Sequence, residues 1–208
     1  MLTSVIALTL YLVFFGGIHS FLASSWAKQW AYAQFGVRAK QWYRLGYNLL
    51  SLVMAAAGTI LFLLLPDQTL YVVPSPWRWL MMGGQLAAAV ALYRAFSLND
   101  SRRFMGITQL TEKEPIEHTP LIIRGWYCYV RHPLYTFSLV FIWLNPFMTV
   151  NILVLSLFAT VYFYVGAILE ERRLVETFGD TYRCYQREVP RLIPRLRGCG
   201  ETTMHPCQ

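Results

Sequence analysis

Two short stretches of this chain hold most of the residues whose types suit binding and catalysis: Arg131-His132-Pro133-Leu134-Tyr135 and Glu170-Glu171-Arg172-Arg173. A proline suits the first turn of a helix, which puts Arg131 and His132 just ahead of that helix's N-terminus, where free backbone N–H groups point. His132 and Tyr135 are three apart and face one pocket. Adjacent carboxylates on a helix lie about 100° apart, so one of Glu170 and Glu171 can pair with an arginine while the other faces a ligand. Trp126, Tyr127 and Tyr129 precede the first stretch, and Phe178, Tyr182 and Tyr185 follow the second. Taken singly, each group has a plainer explanation. Arg131 and Arg172 can snorkel at a membrane interface, the glutamates can form a solvated helix end, and His132 can cap a helix.

The elements that must position these groups are apolar. The chain is 56% hydrophobic and 14% charged, against about 25% charged in an ordinary soluble domain. Leu2–Ala23 and Gly46–Pro66 carry no Asp, Glu, Lys or Arg, and Trp79–Phe96 carries only Arg94. Leu134–Leu169 is an uncharged run of 36 residues broken at Asn145-Pro146. A spanning helix needs about 20 apolar residues, so this run reads as a helical hairpin, Leu134–Leu144 and Phe147–Leu169. No strand is evident. The predicted fold is all-α: a polytopic membrane protein of about five transmembrane helices, with a C-terminal hairpin and a cytoplasmic C-terminal helix turning near Phe178-Gly179-Asp180. It is read as a single membrane domain over 1–208, with a three-helix scaffold over 1–98.

The net charge of +7 reflects topology; nucleic acid is not expected as a partner. Lys28, Arg38, Lys40 and Arg44 fall in one connection, five more basic residues fall in Ser97–Pro133, and seven arginines follow Leu169. With five crossings all three basic segments share one side, which the positive-inside rule makes the cytoplasm. The N-terminus then faces out and the C-terminus in, and a bacterial inner membrane is the expected location. Lipid bilayer is the expected surrounding partner. Cys128, Cys184, Cys199 and Cys207 all map to the cytoplasmic side and are expected as thiols. The spacing of Cys199, His205 and Cys207 suits a loose tail, so no metal site is predicted. Val189–Pro194 alternates apolar and basic residues, as a segment lying on a membrane surface would.

If the hairpin folds antiparallel, its two chemical stretches meet on the cytoplasmic face. There the sequence resembles a family. Gly125-Trp-Tyr-Cys-Tyr-Val-Arg-His-Pro-Leu-Tyr135, the apolar hairpin, and Glu170-Glu-Arg-Arg-Leu…Phe178-Gly-Asp-Thr-Tyr182…Tyr185…Val189-Pro…Ile193-Pro194 are similar to the C-terminal half of isoprenylcysteine carboxyl methyltransferases and membrane phospholipid methyltransferases. The resemblance covers roughly residues 120–195. His19-Ser20 and Trp42-Tyr43-Arg44-Leu45-Gly46-Tyr47-Asn48-Leu49 resemble the bacterial branch of NnrU-like proteins and methanethiol S-methyltransferases. Trp143, Pro146 and Tyr162 also look closer to that branch.

The resemblance implies S-adenosylmethionine as cofactor, bound through Tyr129, Arg131, His132, Pro133, Tyr135, Glu170 and Glu171, with Phe178 and Tyr182 covering it. Arg131, His132 and Tyr185 are the expected catalytic groups, and His19, Arg44, Trp143 and Tyr162 the expected acceptor contacts. The implied reaction is methyl transfer to a small or lipophilic acceptor, a thiol first of all. Isoprenylcysteine carboxyl methylation and phospholipid N-methylation are the alternatives. A non-catalytic assembly factor or carrier is the rival of another class. No Gly-x-Gly-x-x-Gly turn follows a strand, so the hairpin and tail must build the cofactor site without a dinucleotide-binding fold.

Overall fold

The structure, a computed structural model, describes residues 1–98 and 121–195. Asn99–Thr119, expected to be polar and irregular, and Cys199, His205 and Cys207 lie outside the described residues. The described elements run α1 (Leu2–Ala23), α2 (Ser25–Leu64), β1 (Thr69–Val72), α3 (Trp77–Ser97), a 3-10 turn (Gly125–Cys128), α4 (Pro133–Trp143), β2 (Phe147–Thr149), α5 (Val150–Phe178) and α6 (Asp180–Glu188). Among the described residues, three helical stretches are long and apolar enough to cross a membrane: Leu2–Ala23, Gln41–Leu64 and Val150–Phe178. Pro133–Trp143 is a shorter apolar helix. The chain is an all-α integral membrane protein.

The connection that carries Lys28, Arg38, Lys40 and Arg44 is helical and runs into the second crossing, interrupted at Gly36 with φ 60°, ψ −140°. Ser24 caps it, its hydroxyl accepting the Ala27 N–H at 3.2 Å, and the good helix formers that follow sustain it. The expected absence of strands is corrected, since β1 and β2 pair in a two-stranded sheet. Thr69-Leu70-Tyr71-Val72, β-branched and aromatic between Pro66 and Pro74, suits a short strand.

The chain divides into two compact units. The first comprises residues 1–70 and 149–155. Within it α1 packs on α2 at small residues: a Cβ added at Gly58 would lie 2.6 Å from the Tyr11 ring, and the Tyr11 hydroxyl donates to the Met54 carbonyl. Asp67 reaches the start of α5, where its Oδ1 accepts the Asn151 N–H at 3.1 Å. His19 joins Tyr47 and Ser51 in the same unit, with Nε2 2.6 Å from the Tyr47 hydroxyl and Nδ1 3.2 Å from Ser51 Oγ.

The second unit holds the described residues 71–98, 121–148 and 156–195. Ala88, Ala91 and Ala95 form a buried small-residue stripe on α3, and α3 packs on α4. A Cβ at Gly84 would lie 2.7 Å from Leu144, and Gln85 donates to the Phe141 carbonyl at 3.0 Å. The turn between α4 and α5 falls at Asn145-Pro146, as expected. Gly179, at φ 57°, separates α5 from α6. On α6, Tyr182 and Tyr185 are one turn apart and bury with Val189 against Leu121, Ile123, Leu174, Val175 and Phe178. This cluster is the core that seats the site.

Candidate active site

The hairpin is antiparallel. Trp143 near the end of α4 donates its indole N–H to Thr160 at 3.0 Å, while Tyr135 in the first turn of α4 donates to Glu170 at 2.8 Å. Residues 131–135 and 170–171 therefore meet at one end of the pair. The link is made by side chains on helix ends that the sequence separates by 35 residues or more.

Glu171 is the hub. Its side chain is 3% exposed. Oε1 accepts from Arg131 Nη2 at 3.0 Å, His132 Nε2 at 3.2 Å and Arg191 Nε at 3.0 Å. Oε2 accepts from Arg191 Nη2 and Gln186 Nε2, each at 3.0 Å. A carboxylate offers about four lone-pair sites, so these donors leave none for a ligand. Glu170 is the opposite case. Its side chain is 47% exposed, it accepts the Tyr135 hydroxyl, and it lies 3.6 Å from His132 Nδ1. Of the two carboxylates, Glu170 is the one left open.

Three rings lead to that open carboxylate. His132 stacks on Tyr135 at 5.3 Å between centroids and 3° between planes. Tyr135 stacks on Phe163 at 5.0 Å and 4°. The stack fixes the plane from which the Tyr135 hydroxyl reaches Glu170. Burial works to lower the pKa of His132, but hydrogen bonds to Glu170 and Glu171 outweigh it and hold the imidazole above its ordinary range. An imidazolium suits the geometry, because both ring nitrogens face carboxylates.

A strap after α6 locks this arrangement. The N–H of Arg131 donates to the Pro190 carbonyl at 2.9 Å, that of His132 to Arg191 at 3.2 Å, and that of Arg195 to Tyr129 at 3.0 Å. The Thr136 hydroxyl donates to the Leu192 carbonyl at 2.8 Å. Arg131 also donates to the Gln186 carbonyl at 2.7 Å. The segment expected to lie on a membrane surface is thus bound by its backbone to residues 129–136, with Ile193, at 82% exposure, and Pro194 standing bare.

The remaining predicted residues fall into several places. Pro133 is buried in the first turn of α4, and the Tyr129 ring leans on Trp126 at 6.0 Å. Tyr182 and Tyr185 are core residues at 1% and 6% exposure, and the Tyr185 hydroxyl is spent on the Tyr127 carbonyl at 2.6 Å. Burial pushes both phenols up from their ordinary pKa. Phe178 packs on the same core. Tyr162 touches the ring stack through Phe163, at 6.2 Å. Trp143, bonded to Thr160, lies about 15 Å along α5 from Glu170, at 1.5 Å rise per residue. His19 and Arg44 belong to the first unit.

Sequence reading missed Phe163, Gln186 and Arg191. Phe163 had a usable signal, since it lies seven residues before Glu170 and so shares its helix face. The thiols expected at Cys128 and Cys184 are a correction: both sulfurs are disulfide-bonded. Compartment sets only the average redox state of cysteines, whereas bonding also needs a fold that brings sulfurs within reach, which spacing in the chain does not reveal. Among the described residues no cluster of His, Cys, Asp and Glu is arranged to hold a metal ion.

The chain is similar to methanethiol S-methyltransferases. It is 38% identical to the one from Pseudomonas deceptionensis over 117 residues, 55% of this chain and 42% of that protein. It is 45% identical to the one from Crocosphaera subtropica over 83 residues, 39% of this chain and 32% of that protein. It is also 40% identical to the protein-S-isoprenylcysteine O-methyltransferase of Schizosaccharomyces pombe over 83 residues, 36% of this chain and 34% of that protein. The matches thus span less than half the length of these curated relatives. No family model and no solved structure matches. The resemblance read from the sequence is therefore supported by named relatives on both of its branches.

Proposed function

We propose that this chain is an S-adenosylmethionine-dependent integral membrane methyltransferase that methylates a thiol. One observation carries the reading: His132, Tyr135 and a half-exposed Glu170 converge at one end of the hairpin, held there by a fully bonded Glu171. The names of the relatives point the same way.

The donor set fits the proposed cofactor. Glu170 has a carboxylate edge exposed to accept from ribose hydroxyls or an ammonium. His132 has both ring nitrogens turned to Glu170 and Glu171, so it orients the site without contacting the cofactor. Bound there, S-adenosylmethionine would supply a methyl group on an electrophilic sulfonium, leaving as a thioether when a thiolate takes the methyl. Arg131 and Arg191 keep Glu171 in place, Glu171 keeps His132 in place, and the ring stack aims the Tyr135 hydroxyl. Such fixed orientation supplies part of the barrier lowering in a displacement, up to about 7–11 kcal/mol in well-oriented systems. A free thiol has a pKa of about 8.5, so the basic surroundings favour the reactive thiolate. Tyr182 and Tyr185 are assigned to the core and take no chemical part. With five crossings, the N-terminus outside and the C-terminus in the cytoplasm, the site would lie at the inner leaflet.

The match to an isoprenylcysteine O-methyltransferase favours a second reading, in which the acceptor is a prenylated cysteine carboxylate. The deciding experiment gives the purified full chain, in detergent, labelled S-adenosylmethionine with methanethiol or with a prenylcysteine analogue. Label in dimethyl sulfide is expected. Label only in the prenylcysteine ester would replace the thiol by the second reading, and failure to bind the labelled cofactor would remove both.

A further inference from the structure

The face of α5 that turns away from Glu170 carries a separate cavity of about 410 Å³, lined by Ile168, Arg172, Val175, Glu176, Gln186 and Arg191, with Glu171 as its back wall. It shares Glu171, Gln186 and Arg191 with the framework of the proposed catalytic corner, while Arg172 and Glu176 are its own polar groups. Glu171 and Gln186 are already bonded to each other, and Arg191 spends Nε and one Nη on Glu171 while its guanidinium lies over the Tyr164 ring at 5.8 Å. Arg172 and Glu176 are exposed one turn apart, and among the described residues no ion pair engages either of them.

Below the cavity the same helix face is apolar and bare. Val161, Tyr164 and Val165 are 64%, 51% and 46% exposed, and steps of three and four residues carry this stripe directly to Ile168 and Arg172. In a membrane-spanning helix such a stripe lies against acyl chains. The stripe ends where the uncharged run of the sequence ends, at Leu169, which is the level of the headgroups. An acyl-chain track that leads into a pocket floored by Ile168 and Val175 and rimmed by two arginines has the layout of a phospholipid site. The rim also selects the headgroup. Arg172 favours a phosphate, and Arg191, bonded to Glu171 and Tyr164, adds positive charge beside it. Glu176 opposes a second negative charge there and favours a cationic group beyond the phosphate.

We infer that this cavity holds a zwitterionic glycerophospholipid, its phosphate on Arg172 and Arg191, its ammonium on Glu176 and one acyl chain along Val161–Ile168. The lipid is a resident ligand on the opposite face of α5 from Glu170, not a methyl acceptor, and the inference does not depend on the proposed reaction.

The test uses the full chain purified in detergent and native mass spectrometry. It supplies phosphatidylethanolamine, phosphatidylcholine or phosphatidylglycerol, and separately O-phosphoethanolamine, which has the headgroup chemistry without acyl chains. Binding of S-adenosylmethionine is measured in parallel. The wild type is expected to retain a zwitterionic lipid in preference to phosphatidylglycerol. Arg172→Gln should weaken that retention about fivefold, Glu176→Gln should erase the headgroup preference, and both variants should bind S-adenosylmethionine as the wild type does. Four results overturn the inference: equal retention of all three lipids by the wild type, unchanged retention in both variants, O-phosphoethanolamine binding as tightly as the lipid, and displacement of the lipid by S-adenosylmethionine.

Discussion

Arg191 grips the Glu171 carboxylate with two parallel N–H donors, Nε to Oε1 and Nη2 to Oε2, each at 3.0 Å. The backbone carbonyl of the same arginine accepts the N–H of His132. One residue of the strap therefore fixes the helix that carries the glutamates and the helix that carries the histidine. Bidentate pairing of this kind is stronger and more directional than a single charge contact.

Replacing Glu171 by alanine removes the common partner of Arg131, His132 and Arg191. With the Arg131 side chain 8% exposed, its charge is left buried and unpaired, a change that costs about 3–5 kcal/mol. Thermal unfolding in detergent should register that loss. Glu170→Gln should behave differently. The residue is half exposed, so stability should change by less than about 1 kcal/mol, while affinity for S-adenosylmethionine falls. Similar stability losses in both variants would contradict the division of roles between the two carboxylates.

Phe163→Leu keeps an apolar side chain on α5 but ends the stack on Tyr135. Aromatic pairs contribute about 0.5–1.5 kcal/mol beyond their buried area, so cofactor affinity should fall severalfold through a misaimed Tyr135 hydroxyl. Phe163→Tyr should restore it. Isothermal titration with S-adenosylmethionine separates the two, and equal affinity in wild type and Phe163→Leu would show that the ring has no positioning role.

Much of this site was legible in the sequence because it obeys local rules. Pro133 announced the start of α4, Asn145-Pro146 the turn, and Phe178-Gly179-Asp180 the break before α6, each through backbone preferences confined to a few residues. The meeting of residues 131–135 with 170–171 followed from those boundaries plus the antiparallel return of a short hairpin. What escaped depends on contacts between distant segments. Whether Tyr182 and Tyr185 face a ligand or a core is decided by Leu121, Ile123 and Leu174, which the period of α6 alone does not reveal. Arg191 read as one basic residue among seven after Leu169, and only its distance to Glu171 distinguishes it. The two short strands were hidden for the same reason, since Thr69–Val72 becomes a strand by pairing with β2.

The raised pKa of His132 gives a pH dependence with a definite sign. A group whose folded pKa exceeds its unfolded value near 6.5 adds stability that is complete below that value. The contribution disappears as pH rises through the folded pKa. The wild type should therefore lose melting temperature as pH rises above about 6.5, and His132→Gln should flatten that slope. Melting curves at a series of pH values in one detergent check it. An identical slope in the variant would mean that the imidazole is neutral in the folded protein.

Asp67 predicts an opposite limb at acid pH. Although burial pushes its pKa up, bonds from the Thr149 hydroxyl and from the N–H groups of Asn151 and Gln68 outweigh burial and lower it from the ordinary carboxylate value. Stability from this group is therefore present above its unfolded pKa and lost as pH falls through the lowered one. Its place explains why. The Asn151 N–H is one of the free donors in the first turn of α5, and Thr149 already serves another, accepting the Ile152 N–H at 3.2 Å. Asp67 thus acts as a second cap, supplied from outside the helix, and its negative charge also complements the positive end of the helix dipole. Asp67→Ala should cost about 1 kcal/mol, the usual value of a lost cap, while Asp67→Asn should keep the acceptor and lose mainly the acid limb. Hydrogen exchange at the first turn of α5 provides the local readout: faster exchange at Asn151 is expected in Asp67→Ala and much less of it in Asp67→Asn. Equal protection in all three proteins would assign the cap to Thr149 alone.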